Sequence, residues 1–130
     1  MKCVIKTNKG EFHFKPRNLF HGRKKINKKK AQENLLLLRN ILKKTDIRWG
    51  LIFGTLLGAV REKNFIAHDE DTDIYILYED QYKILELIYE FKKFGFEIAR
   101  YEKKSLFSII RNNEYIDFYF FKKKIFGRRC

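Results

Sequence analysis

Residues 54–73 read Gly54-Thr55-Leu56-Leu57-Gly58-Ala59-Val60-Arg61-Glu62-Lys63-Asn64-Phe65-Ile66-Ala67-His68-Asp69-Glu70-Asp71-Thr72-Asp73, and the apolar run Ile74-Tyr75-Ile76-Leu77 follows directly. A small-residue turn, an arginine and a burst of carboxylates thus abut a hydrophobic strand. Clustered anions repel unless a cation sits among them, so the arrangement asks for a function. Asp71 and Asp73 are the pair of interest, because side chains two apart on an extended chain point to the same face. Two carboxylates on one face make a seat for a divalent metal.

Working outward, residues 48–53 read as a buried strand through Trp49, Leu51, Ile52 and Phe53, ending at Gly54. Thr55 is expected to cap a short helix from Leu56 to about Arg61, in which Gly58 and Ala59 allow close backbone approach. Upstream, Leu35, Leu38, Ile41 and Leu42 recur at helical spacing, predicting a helix over 28–44 with Lys43 and Lys44 in its last turn. Cys3 to Ile5 and Phe12 to Phe14, around Asn8-Lys9-Gly10, predict a hairpin that Pro16 ends. Downstream, residues 73–78 form the next strand, and Glu79 or Asp80 opens a helix that Gly95 stops with a left-handed cap. Strands are expected over 96–101, 106–111 and 115–121, the last two joined as a hairpin through Asn112-Asn113.

This order predicts an α+β (α/β-like) fold, a mixed sheet with helices on one side. The expected divisions are a basic hairpin and arm over 1–30, a minimal single domain over 31–121, and a basic tail over 122–130. Isolated His13 and His21 read as surface residues, and Phe118, Tyr119 and Phe120 as core.

Asp117 lies in the aromatic strand Tyr115-Ile116-Asp117-Phe118-Tyr119. A lone acid there is costly to bury, so it calls for a cationic or metal partner. If its strand runs beside 73–78, then Asp71, Asp73 and Asp117 converge on one end of the sheet. They would hold Mg2+ or Mn2+ against phosphate oxygens. Other readings stand beside this one. The acids can be solvated loop charges, Asp117 can pair with Arg111 or a lysine, Arg61 can be a surface residue beside Glu62, and Gly54 and Gly58 can serve turn and packing alone. A calcium loop fits Asp69, Asp71 and Asp73 at positions 1, 3 and 5 but fails at Ile74, where glycine is needed, and at Asp80, where a bidentate glutamate is needed.

Gly54 to Arg61, Phe65-Ile66 and Asp69-Glu70-Asp71-Thr72-Asp73-Ile74 closely resemble the LicD family of the nucleotidyltransferase superfamily, to which the fukutin group is related. The resemblance covers about 31–121. It implies a nucleotidyltransferase-type sheet and transfer of phosphocholine or a related phospho-alcohol from a CDP-activated donor to a glycan. It implies donor-phosphate approach at Gly54 and Thr55, substrate binding by Arg61, a metal pair at Asp71 and Asp73, and a third acid at Asp117 that binds metal or takes the acceptor's proton. The chain departs from the family at Ala67 and His68, where proline and tryptophan are common, and at Glu70, where aspartate is usual. Relatives usually continue well beyond the third strand, so a protein partner or a homodimer is expected to complete the acceptor side.

The net charge of +13 is unevenly placed: eleven of the first thirty residues are Lys or Arg, with Glu11 as the lone acid, whereas residues 66–80 carry six acids and no Lys or Arg. Overall basicity therefore says little about the acidic site. It keeps open a polyanion-binding module gripping nucleic acid through residues 23–30. A minimal nucleotidyltransferase acting on protein or RNA is a further alternative. Cys3 and Cys130 give no metal spacing, no apolar run approaches a membrane span, and charges at Lys2, Lys6 and Lys9 interrupt any signal-peptide core. A cytoplasmic protein is expected.

Overall fold

The computed structural model describes residues 3–17, 25–61, 63–65 and 71–122. Expectations for His21, for the first part of the basic arm, for Asp69 and Glu70 and for the tail lie outside the described residues. Strands β1 (Cys3–Thr7) and β2 (Gly10–Phe14) form an antiparallel hairpin. The remaining elements are α1 (Lys28–Leu42), β3 (Trp49–Leu51), α2 (Phe53–Arg61), β4 (Thr72–Leu77), a 3-10 turn (Tyr78–Asp80), α3 (Gln81–Leu85), α4 (Ile88–Lys93), β5 (Glu97–Glu102), β6 (Leu106–Arg111) and β7 (Glu114–Phe121). The five-stranded sheet has the order β3-β4-β7-β6-β5. Only β4 and β7 run parallel, so the sheet is mixed and the fold is α+β.

Alternation along the strands separates two chemistries. One face presents Ile74, Ile76, Phe107, Ile109, Ile116, Phe118 and Phe120, all in one core with Leu38, Ile41 and Leu42 of α1 and Ile84, Ile88 and Phe91 of α3 and α4. Phe91 stacks on Phe118 at 6.2 Å, and Phe118 on Phe107 at 5.8 Å. Ile5 and Phe14 of the hairpin enter the same core. Glu86 accepts from Asn8 N with both carboxylate oxygens, at 3.0 and 2.8 Å, and fastens the hairpin turn to the helical layer.

Several boundaries differ from expectation for identifiable reasons. Helix α1 begins where Asn27, in extended conformation, accepts from Lys30 N at 3.0 Å, and it ends at Leu42. Lys43 therefore caps the helix and Lys44 lies beyond it; the Thr45 hydroxyl and amide take the Leu42 carbonyl instead. The expected second helix is divided at Glu86-Leu87, where the Leu87 amide bonds the Ile84 carbonyl in the tighter i→i+3 pattern. Gly95 does take a left-handed φ of 94°. Asn112 and Asn113 both have positive φ, 54° and 65°, the geometry of a two-residue hairpin turn matched to strand twist.

Arg111 does not pair with Asp117. Its guanidinium donates to Phe94 O and to Asn34 Oδ1, both at 3.0 Å, while Asn34 Nδ2 returns a 2.8 Å bond to Arg111 O. That exchange explains how Asn34 can be buried in the apolar stripe of α1.

Asp80 is buried and locks the far end of β4 to the entry of β3. It accepts from Arg48 N at 3.0 Å and Nε at 3.2 Å and pairs with Lys83 Nζ at 3.4 Å. Burial alone would raise its carboxyl pKa, but the Arg48 hydrogen bonds, aided by the charges of Arg48 and Lys83, hold it below the ordinary range. A depressed folded pKa adds stability that is complete above the unfolded value of about 3.9 and is lost as pH falls through the folded value. Asp80→Asn is expected to lower the melting temperature at pH 7 by about 5–10 °C. The gap from wild type should close as pH falls below the ordinary carboxylate range, about 4; a gap constant with pH would contradict this role.

Candidate functional site

The other face of the sheet carries a polar row. The register sets Asp73 beside Asp117, Asp117 beside Ser108, and Ser108 beside Arg100, across β4, β7, β6 and β5. Ser108 Oγ donates to Asp117 Oδ1 at 2.6 Å, and Arg100 Nη2 lies 3.9 Å from that same oxygen. Asp117 is buried, and Asp73 is half-buried. The cationic neighbour of Asp117 is thus Arg100, rather than Arg111 or a lysine.

Asp73 is held by its backbone as well as by its strand. Its amide donates to Thr55 Oγ1 at 2.7 Å, and its carbonyl accepts from Ile52 N at 3.1 Å. These two bonds fix the start of α2 against the carboxylate strand. Thr55 accordingly does not cap a helix starting at Leu56. The helix starts at Phe53, and Thr55 lies inside its first turn with the hydroxyl turned to Asp73. Gly54 is the second residue of α2, and the left-handed residue at the turn is Phe53, with φ 54°. A bulky residue there carries strain. The Phe53 ring packs edge-on to Tyr119, with centroids 5.1 Å apart, so the turn is held over the polar face.

Tyr119 registers the shared field of the acids. Burial first, then the charges of Asp73 and Asp117, with a smaller part from Asp71, push its phenol up to about 12, against the opposing charge of Arg100. Tyr115 is raised for the same reasons, burial first, with Asp71 and Asp117 adding to it. Both phenols therefore stay protonated at neutral pH and add no further negative charge.

The three acids thus share a neighbourhood, but they are not equally placed. Asp73 and Asp117 are register partners, while Asp71 precedes β4. Among the described residues, no group of three or more His, Cys, Asp or Glu side chains is close enough to enclose a metal ion. Asp73 belongs to a strand, which is not the geometry of a calcium loop. Arg61 ends α2, is exposed, and forms no ion pair among the described residues. Gly58 is buried; a cavity of about 430 Å³ opens between α1 and α2, lined by Gln32, Leu35, Leu51, Thr55, Ala59 and Phe65 among others.

Arg100, Ser108, Tyr119 and Phe53 are the neighbours that motif reading left out. Ser108 was accessible from pattern: a two-residue turn at Asn112-Asn113 pairs Arg111 with Glu114, and counting back places Ser108 opposite Asp117. Arg100 was not, because a register shift between Ile98 and Arg100 moves it.

The family model described as LicD/FKTN/FKRP, nucleotidyltransferase domain, matches residues 46–127. An uncharacterized protein of Rickettsia typhi (strain ATCC VR-144 / Wilmington) is 32% identical over 105 residues, which are 78% of this chain and 33% of that protein. An uncharacterized protein of Rickettsia prowazekii (strain Madrid E) is 34% identical over 82 residues, 61% of this chain and 30% of that protein. The matched segments thus span about a third of the length of these curated relatives. Among the described residues, no helix is long and apolar enough to cross a membrane.

Thr55→Val keeps the side-chain shape and removes the acceptor for the Asp73 amide. It is expected to destabilise the fold by about 1–2 kcal/mol, while Thr55→Ser stays within about 1 kcal/mol of wild type. Urea unfolding midpoints test this, and equal midpoints for Val and wild type would contradict the clamp.

Proposed function

Because the chain belongs to the LicD/FKTN/FKRP family of nucleotidyltransferase domains, a family of transferases, we propose that it carries the donor site of a metal-dependent transferase. The reaction moves a phosphocholine-like phospho-alcohol from a CDP-activated donor to a hydroxyl of a glycan or similar acceptor. The observation that supports this reading is the in-register pairing of Asp73 with Asp117 on parallel strands, beside the start of α2.

Two adjacent carboxylates fit Mg2+ or Mn2+ in type and number. Such hard ions keep several waters and share substrate phosphate oxygens, so they need one or two carboxylates rather than a full protein cage. Asp73 and Asp117, with Asp71 at the mouth of the strand, are the residues that would hold the ion. When bound, it supplies charge stabilisation for the transferring phosphoryl group.

The chain's own groups divide the remaining work. The first amides of α2, at Phe53, Gly54 and Thr55, precede the helical ladder and can meet a phosphate oxygen. Arg61, exposed at the other end of α2, is available to a donor phosphate. In the reaction the acceptor oxygen attacks the β-phosphorus in line. The bond from that phosphorus to the bridging oxygen breaks, cytidine monophosphate leaves, and the hydroxyl proton passes to Asp117.

One observation favours a second reading. Lys28, Lys29 and Lys30 occupy the first turn of α1, which contains no acid, so three cations sit at the positive end of a helix dipole. A polyanion such as nucleic acid would relieve that repulsion. Nucleotidyl transfer to protein or RNA would use the same acids and differ in the phosphorus attacked.

Calorimetry with a nucleotide panel separates these readings. CDP-choline or another CDP-alcohol is expected to bind only with Mg2+ or Mn2+, and the combined Asp71→Asn and Asp73→Asn variant to lose this binding by 100-fold or more, on the order of 3 kcal/mol. Binding indifferent to metal and to these substitutions, in a well-folded protein, would overturn the donor-site assignment. Salt-sensitive polyanion binding retained by the same variant would favour the second reading.

A further inference from the structure

The polar row ends in a cation to which neither the family match nor the sequence motif assigns a task. Arg100 reaches that row because β5 is irregular. Ile98 pairs with Ile109, but Arg100 pairs with Ser108, so one residue is inserted between them. In unbroken register Arg100 would face the helical layer with Ile98. The extra residue turns it to the side of Asp117, the kind of re-aiming that bulges perform.

Once there, the guanidinium is held by charge and not consumed by hydrogen bonds. Nη2 is 3.9 Å from Asp117 Oδ1, and Nη1 is 3.8 Å from Glu102 Oε2. Both distances suit an ion pair and exceed a hydrogen bond. Asp117 Oδ1 already takes the 2.6 Å bond from Ser108, so Asp117 does not depend on Arg100 for a donor. Arg100 Nε is buried and has no hydrogen-bond partner among the described residues. An arginine built only to neutralise Asp117 would close on it as a bidentate pair at about 2.8 Å. This one keeps its donor fork available, with the side chain about a quarter exposed (26%).

We propose that Arg100 binds a phosphoryl oxygen of the nucleotide donor, on the side of Asp117 opposite Asp73. A diphosphate can then span the row, one part facing the acid pair and the other meeting the guanidinium. The two flanking carboxylates select against a bare anion and favour a phosphate that arrives with a divalent cation. The inference rests on the transferase reading and adds a binding residue to it.

The first probe is pyrophosphate with Mg2+, titrated by calorimetry at physiological salt into wild type, Arg100→Gln, Arg100→Lys and, as a control for loose surface binding, Lys44→Gln. Arg100→Gln should weaken binding about 10- to 100-fold. Arg100→Lys, which keeps the charge without the fork, should fall between it and wild type, and Lys44→Gln should match wild type. The lysine variant carries the test if the glutamine variant fails to fold. Pyrophosphate bound equally by wild type and both Arg100 variants, or not bound by wild type, would overturn the proposal. CDP-choline titrated in the same buffer separates the two readings. Pyrophosphate binding that depends on Arg100, without CDP-choline binding, would remove the CDP-alcohol assignment and leave the phosphate site. CDP-choline bound equally by wild type and Arg100→Gln would leave the donor site and remove Arg100 from it.

Discussion

The repulsion between Asp73 and Asp117 is the constraint to which the rest of the structure answers. Parallel pairing of β4 with β7 makes them register partners, on strands that pack about 5 Å apart. Two like charges at that spacing repel by between about 1 and 3 kcal/mol, depending on how much water reaches them. The opposite face supplies the opposing term. Ile74, Ile76, Phe118 and Phe120 project from the same two strands into the core, and each such side chain contributes roughly 2 kcal/mol on burial. The hydrophobic register therefore dictates the electrostatic one. Slipping one strand by a single residue would separate the acids only by turning that strand's apolar side chains, Ile74 and Ile76 or Phe118 and Phe120, outward.

Within that frame, the polar groups around the acids reduce their conflict without cancelling it. Ser108 bonds one oxygen of Asp117, Arg100 brings a positive charge near it, and protonated Tyr119 withholds a further negative one. The clamp of Thr55 and Ile52 on the Asp73 backbone makes the beginning of α2 and the carboxylate strand one rigid piece. Precision at the site thus comes from backbone hydrogen bonds and strand pairing. Flexible side chains reaching across space have little part in it.

Much of this was legible in sequence, and the exceptions have physical causes. Periodicity located every long element, and Asn112-Asn113 announced the hairpin that aligns Ser108 with Asp117. The spacing of Asp71 and Asp73 and the isolation of Asp117 in an aromatic strand marked the acids. The strand-to-helix junction was misplaced because the strand was expected to run through Phe53 to Gly54, whereas Phe53 itself takes the left-handed turn, and a phenylalanine carries no such signal. Thr55 was read as a cap because local capping is visible in sequence, whereas a bond to Asp73 eighteen residues away is not. Arg100 stayed hidden because a bulge changes which face a residue occupies, and composition seldom marks where one occurs.

The pair of hydrogen bonds on the Asp73 backbone has a consequence for how this domain can change over time. It ties the first turn of α2 to the start of β4, the two elements between which residues 62–71 run, since Thr55 lies in the one and Asp73 in the other. With its ends fixed by other parts of the fold, a connection can double in length for only about 0.6 kcal/mol of closure entropy. Asp73 and Asp117 keep their seat when this segment lengthens. Insertions that spare Asp71 and the buried Phe65 thus cost the scaffold little, and the same floor of carboxylates can be fitted with different walls.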